Sequence, residues 1–294
     1  MNRSLFPTWR LGGYLQPGTF PSPLFRAITS FSIRIKVKPR SWRVFGIYCM
    51  DDFLFGAGYV DWFGNRDVSL FQTGFNQDHY RESLIRSVGE GYGAFIEKAV
   101  VKRKSEFLAG RYCAHRALEA FDIAPHLIGI GEGRSPLWPD GVVGSISHCH
   151  GYAIAAAARE GSLLSVGLDV EDIVAPETQR KLSKSIMNDD ELFLLQHDLP
   201  PEMVFTLVFS VKESFFKAAY PFVKAYFGFE AMSVTGIDWQ GKRLAFRVNT
   251  DLADAFRRGM MLTARFKPLD RRILTYFSMG RDDEAFGHLV KKPG

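Results

Sequence analysis

Gly167-Leu168-Asp169-Val170-Glu171, followed downstream by Phe209-Ser210-Val211-Lys212-Glu213-Ser214-Phe215-Phe216-Lys217, decides how this chain is read. Asp169 and Glu171 are set among Leu164, Val166, Leu168, Val170 and Ile173, an apolar, β-branched run that predicts a strand. Strand side chains alternate, so residues two apart point to one face. Glu213 and Lys217 stand four apart in a segment of helix formers, a spacing that puts them on one helix face. A strand with two acids beside a helix with one acid and one lysine can build an oxygen-rich site for Mg²⁺ and keep a cation for an anionic substrate. Taken singly, Asp-x-Glu also fits a solvated pair, and Lys212, Glu213 and Lys217 fit an exposed helix face. The order of the two stretches and the large apolar residues around each favour a site.

The chain has 294 residues, 46% of them hydrophobic, enough for one large or two modest domains. No run of apolar residues is long enough for a membrane span, and Arg10, Gly12, Gly13 and Pro17 interrupt any secretory apolar region. The three cysteines, Cys49, Cys113 and Cys149, are far apart and odd in number, which predicts reduced thiols in a cytoplasmic protein. The formal charge is +5, but residues 1–50 hold eight of the 37 bases and no acid; the remaining 29 bases face 32 acids. The basic character therefore belongs to the N-terminal stretch, which weakens a nucleic-acid reading based on global charge. That stretch is proline-rich and poorly patterned. It reads as a dispensable basic extension, a targeting peptide, or sequence upstream of a start at Met50.

Short apolar runs and glycine turns over 53–75 predict strands, and 78–98 a mixed helical stretch. Residues 102–121 predict a stronger helix, whose Ala109, Gly110, Ala114 and Ala117 form a face able to approach a sheet closely. Strands follow at 144–149, 152–158 and 163–171, then helices at 188–198 and 203–220, then strands over 233–278. Helices combined with antiparallel strands in each half are an α+β signature.

Arg103, Arg111 and Arg134 precede the acidic stretches, and arginine forks match phosphate oxygens in pairs. They also fit solvated helix arginines. His148-Cys149-His150 lacks the further ligands that tetrahedral zinc needs, and Ser147 lacks a nucleophile-elbow context. A hydrogen bond from His148 or Ser147 to a ligand phosphate fits better, beside the alternative that the His and Cys simply pack.

These stretches, with Arg103-Lys104-Ser105-Glu106-Phe107-Leu108-Ala109-Gly110-Arg111, Pro136-Leu137-Trp138-Pro139 and Gly144-Ser145-Ile146-Ser147-His148-Cys149, resemble the 4′-phosphopantetheinyl transferases, in particular their enterobactin synthetase component D subgroup. The resemblance covers about residues 95–220; Leu168 and Phe209 depart mildly from the usual residues and keep an apolar packing role. It implies two similar α/β lobes with pseudo-twofold symmetry, acting as a monomer with a ligand cleft between them. The N-terminal lobe would be 51–165, with the coenzyme A phosphate contacts, and the C-terminal lobe 166–294, with the metal and catalytic motifs. The implied reaction moves the phosphopantetheine arm of coenzyme A onto a serine of an apo carrier protein, releasing 3′,5′-ADP, and the subgroup points to non-ribosomal peptide siderophore assembly. By the same resemblance Asp169, Glu171 and Glu213 would hold Mg²⁺. Glu213, or a water it orients, would be the base, and Lys217 would balance phosphate charge. Arg103, Arg111, Arg134 and His148 would hold the nucleotide phosphates, with Ser147 assisting. The aromatic run Tyr220, Phe222, Tyr226, Phe227 and Phe229 and the segment 172–205 are candidates for carrier docking, or core. A Mg²⁺-dependent nuclease or phosphohydrolase is the competing reading, since it too uses clustered acids and a lysine.

Overall fold

The computed structural model describes residues 52–89, 91–124, 127–196, 199–286 and 289. The basic stretch 1–50, with the expectation of a start at Met50, lies outside the described residues.

Two antiparallel sheets organise the chain. The first is built from β1 (Leu54–Val60), β2 (Val68–Phe75), β5 (Val142–Cys149) and β6 (Tyr152–Arg159), in the order β1-β2-β6-β5. The second orders β7 (Leu163–Asp172), β11 (Arg272–Gly280), β10 (Met261–Leu269), β9 (Arg243–Val248) and β8 (Met232–Asp238) as β7-β11-β10-β9-β8. A two-stranded ribbon, β3 (Gly129–Ile130) with β4 (Pro136–Leu137), precedes β5 in sequence. The fold is α+β.

Each sheet carries one long helix. Helix α3 (Val101–Glu119) follows the short α1 (Ser83–Val88) and α2 (Tyr92–Ile96) and covers one face of the first sheet. Its small residues allow the close approach that the sequence predicts: Ala109, Ala114 and Ala117 are fully buried, and a Cβ on Gly110 would come within 2.9 Å of the Ile146 side chain. The alanine run of β6 answers it from the sheet: Ala153, Ala155 and Ala157 join the α3 core. On the other face Ile154 and Ala156 meet Val166, Leu168 and Val170 of β7 and Leu274 of β11, so the two sheets share an apolar layer.

Helix α5 (Pro201–Val223) lies across β7 and β11. Its fully buried residues include Val204, Leu207, Val208, Val211 and Phe215, which join Phe246, Phe256, Phe266 and Phe277 in the largest core cluster. Before it come α4 (Pro176–Ile186), which the sequence reading does not anticipate, and a 3₁₀ stretch, Asp189–Gln196, where that reading places a regular helix.

The contact between α5 and β7 has no slack. A Cβ on Gly167 would overlap the backbone oxygen of Ser214. Around it hydroxyls replace bulk: Ser214 Oγ bonds the Thr275 carbonyl (3.1 Å) and hydroxyl (2.7 Å), Ser210 bonds the Thr275 hydroxyl at 2.9 Å, and Ser165 donates to the Ala218 carbonyl at 2.8 Å. Further along α5, Lys212 points into the interior. Its Nζ donates to Glu191 Oε2 at 2.6 Å and to the carbonyls of Ile186 and Phe229, while Glu191 accepts the backbone N–H groups of Asn188 and Val234. Burial pushes the Glu191 carboxyl up and the Lys212 ammonium down, so the pair is stable only because each group answers the other.

Two outcomes are expected. Gly167→Ala pushes α5 off β7 and costs more than the roughly 1–3 kcal/mol of ordinary overpacking, because the obstructing atom is main chain; denaturant unfolding checks it, and a wild-type midpoint contradicts the packing. Lys212→Met strands Glu191 in the core and lowers unfolding free energy by about 3–5 kcal/mol, whereas a surface pair would give less than about 1 kcal/mol.

Candidate active site

The first sheet ends at β5 and the second at β7, and these two edge strands lie side by side. Side-chain hydroxyls close the gap. Ser145 Oγ accepts from the Leu168 N–H at 3.0 Å and donates to the Leu168 carbonyl at 3.4 Å; Ser147 Oγ accepts from the Val170 N–H at 3.2 Å. The acids of β7 sit at this seam.

Asp169, 3% exposed, turns toward α5. Its Oδ1 accepts from Lys217 Nζ at 2.7 Å and from the Ser147 hydroxyl at 3.0 Å. Lys217 Nζ also donates to the Leu168 carbonyl at 3.0 Å and to Ser147 Oγ at 3.1 Å. Asp169 Oδ2 is buried with no hydrogen-bond partner, an arrangement that ordinarily costs free energy. Glu171, two residues along the strand, and Glu213, one helical turn before Lys217, are half-buried in the same electrostatic neighbourhood. Burial, and then the charge on Asp169, push the Glu213 carboxyl up from 4.5 to about 7 against the opposing pull of Lys217. Glu171 is raised well above the ordinary carboxylate range, by burial first and Asp169 second.

This donor set suits a hard divalent cation, which takes carboxylate oxygens. A buried carboxylate oxygen lacks a partner, and burial together with the Asp169 charge raises the proton affinity of the two neighbouring acids. The three acids are not already gathered into a closed ligand cluster: no group of three or more His, Cys, Asp or Glu among the described residues forms a ready metal set.

The basic residues take separate positions. Arg103, near the start of α3, donates to His148 Nε2 at 3.1 Å and lies 3.8 Å from Glu106. A guanidinium can only donate, so His148 accepts at Nε2 and carries its proton on Nδ1. Arg111 is 7% exposed, stacked 4.6 Å over the Phe107 ring, with Nε and Nη2 donating to the carbonyls of Ile128 and Gly129. It braces the segment ahead of β4, a placement that neither reading of it from the sequence, phosphate contact or solvated helix arginine, anticipates. Burial lowers its pKa to about 10. Arg134 is exposed, at a positive φ of 63°, in a turn whose Gly133 is pressed against the Tyr220 hydroxyl of α5. Cys113 and Cys149 are buried free thiols, and among the described residues no group of three His, Cys, Asp or Glu able to hold a metal forms at His148-Cys149-His150. Of the aromatic run after Lys217, Phe222, Phe227 and Phe229 pack on the C-terminal core, while Tyr226 remains 57% exposed. No helix among the described residues is long and apolar enough to cross a membrane.

The sequence reading misses Ser145, which holds β7 without touching a charged group, and Thr275, which receives two α5 hydroxyls. The visible trace of the first is the Ser-x-Ser alternation of β5, hydroxyls repeating at the strand period where an apolar residue would be usual.

Comparison with known proteins agrees with this architecture. Residues 92–158 match the family described as 4′-phosphopantetheinyl transferase N-terminal domain, and residues 165–260 match the 4′-phosphopantetheinyl transferase superfamily. The chain is 42% identical over 144 residues to enterobactin synthase component D of Salmonella typhi, covering 49% of this chain and 59% of that protein. It is 33% identical over 156 residues to the 4′-phosphopantetheinyl transferase PptT of Mycobacterium tuberculosis (50% and 66%). It is 35% identical over 150 residues to the 4′-phosphopantetheinyl transferase Npt of Nocardia iowensis (48% and 62%). The chain thus spans under two thirds of the length of these curated relatives. With two consecutive matches that take in both long helices and the strands β5 and β7 of the seam, the chain belongs to the 4′-phosphopantetheinyl transferase superfamily.

Proposed function

We propose that this protein transfers the 4′-phosphopantetheine arm of coenzyme A to a serine of an apo carrier protein and releases 3′,5′-ADP. What supports this reading is the Lys217–Asp169 contact at the β5–β7 seam, with Asp169 Oδ2 buried and unbonded and the carboxyls of Glu171 and Glu213 both raised by the Asp169 charge. Asp169, Glu171 and Glu213 would hold Mg²⁺, whose charge, when bound, neutralises the pyrophosphate. Lys217 adds positive charge beside the same point. Its three protons are all committed within the protein, so it offers a phosphate charge first, and a hydrogen bond only by exchanging one of those partners.

The carrier hydroxyl attacks the phosphorus on the pantetheine side of the pyrophosphate, and the bond to 3′,5′-ADP breaks. A carboxylate must accept the hydroxyl proton, and Glu213, or a water it orients, would take it. Arg103, Arg134 and His148 would hold the nucleotide phosphates, and Arg111 would act from the position fixed by the Ile128 and Gly129 carbonyls. We place the lobe boundary near residue 165, as two similar lobes with pseudo-twofold symmetry, and take the protein to act as a cytoplasmic monomer. Siderophore assembly by a non-ribosomal peptide route is the pathway suggested by likeness to enterobactin synthase component D. Leu192, Phe193 and Tyr226 are exposed apolar residues available to a carrier.

Incubation of a panel of apo carrier proteins with the protein, coenzyme A and Mg²⁺ is expected to add one phosphopantetheine arm, read by intact mass. Asp169→Ala and Glu213→Gln should remove this while retaining the far-UV spectrum. Turnover in either variant contradicts the metal and base assignment; cleavage of a model phosphodiester without any carrier favours the phosphohydrolase reading instead.

A second outcome concerns pH. Glu213 has a higher pKa folded (about 7) than its ordinary 4.5, so its protonated form favours the folded state. That contribution is complete below about pH 4.5 and is lost as pH rises through about 7. In EDTA, the Tm should therefore fall across this window, and Glu213→Gln, permanently neutral, should flatten the fall. An unchanged slope in the variant contradicts the raised pKa.

A further inference from the structure

Ser147 is more fully engaged than a residue that merely assists a phosphate. A serine hydroxyl has one proton to donate and two lone pairs to accept with. Here all three are used: it donates to Asp169 Oδ1 at 3.0 Å and accepts from the Val170 N–H at 3.2 Å and from Lys217 Nζ at 3.1 Å. The side chain is 5% exposed. A hydroxyl in this state has no proton left for a phosphate oxygen. It ties three things together: the edge of β7 beside Asp169, the carboxylate of Asp169, and the tip of a lysine on α5. With Oδ1 held by Ser147 and Lys217, Oδ2 is the oxygen of Asp169 left without a hydrogen bond.

The geometry points to Ser147 as a positioning residue of the transfer reaction, one that holds Asp169 and Lys217 in register and leaves Asp169 Oδ2 to the site, instead of a ligand of the nucleotide phosphates. Its catalytic consequence rests on the transferase reading above; its structural half rests on the hydrogen bonds alone. Ser145 is the internal control. It sits two residues earlier on the same strand, bonds both polar groups of the Leu168 peptide, and touches neither Asp169 nor Lys217.

Two measurements separate the two halves. Thermal melting in EDTA, without coenzyme A, of Ser147→Ala, Lys217→Met and the double variant reads the hydrogen-bonded hub. The Tm loss of the double variant should be smaller than the sum of the single losses, and additive losses overturn the hub. Kinetics then read the role. Ser147→Ala should lower kcat by about 10-fold or more, with the Kd for coenzyme A, measured calorimetrically in EDTA, kept within about twofold. Ser147→Thr, which keeps the hydroxyl, should recover most of the kcat. Ser145→Ala should lower Tm and lower kcat less than Ser147→Ala does. A weakened Kd for coenzyme A with kcat preserved returns Ser147 to the phosphate contacts and overturns the proposal. An equal kcat loss in Ser145→Ala assigns the effect to the seam at large and overturns it as well. If the cycle shows coupling but the wild-type protein modifies no carrier, the hub stands and the transferase reading falls.

Discussion

Everything at the site depends on how two sheet edges are joined without a backbone ladder. An edge strand presents unpaired peptide groups, and burying them unsatisfied is costly. Here the Leu168 and Val170 peptides of β7 are met by the hydroxyls of Ser145 and Ser147. The substitution has a chemical consequence that a regular ladder lacks. A backbone carbonyl can only accept, whereas a hydroxyl that accepts from β7 still has a proton to place, and Ser147 places it on Asp169. The strand that closes the seam therefore also orients the acid. Strand alternation sends the neighbouring Ile146 and His148 the other way, to Gly110 and Arg103 of α3. One short strand thus has the acidic group on one side and a basic group on the other.

Helix α5 concentrates a similar division of labour into six residues. Lys212 is locked in the core with Glu191, Ser214 bonds Thr275 on the sheet, and Glu213 and Lys217 face the acids of β7. At 3.6 residues per turn, positions five apart lie well round the helix from each other, so the two lysines cannot share a role. Their environments agree: Lys212 replaces solvent with fixed oxygens and is wholly internal, while Lys217 keeps a side chain 28% exposed. Gly167 completes the arrangement by letting the helix backbone reach the strand. The separation between the strand acids and the helix pair is thereby set by main-chain contact and not by adjustable side chains.

The acidic strand, the long helices and the neighbourhood of Asp169, Glu171, Glu213 and Lys217 were legible because they follow from periodicity: two for β7, 3.6 for α5. What was not legible depends on tertiary partners that no local pattern announces. Arg111 has the sequence context of a surface helix arginine, yet the segment before β4 folds back and supplies carbonyls for its guanidinium. Helix α4 buries only Gln179, Ser183 and Ile186 along its length, so its apolar signal is thin. Over Asp189–Gln196 the interior claims the carboxylate of Glu191, and a 3₁₀ stretch replaces the expected regular helix. Ser147 was noticed for its hydroxyl, but its partners come from β7 and α5, and only the meeting of the two sheets brings them within reach.

Charge balance sets the remaining constraint on the acids at this seam. Asp169, Glu171 and Glu213 would carry three negative charges where Lys217 supplies one positive, in a setting where burial already penalises ionisation. Without added positive charge the protein has two responses available: keep protons on Glu171 and Glu213, or expose them to water. The seam prevents the second, because exposure would require separating α5 from β7 at Gly167 or breaking the hydroxyl bridges of Ser145 and Ser147. The first is what the raised carboxyl groups express. A divalent cation offers a third response, in which the acids give up their protons and Asp169 Oδ2 gains the partner it lacks. The same main-chain contacts that fix α5 against β7 thus also keep the Glu213 carboxyl in the setting that raises its proton affinity.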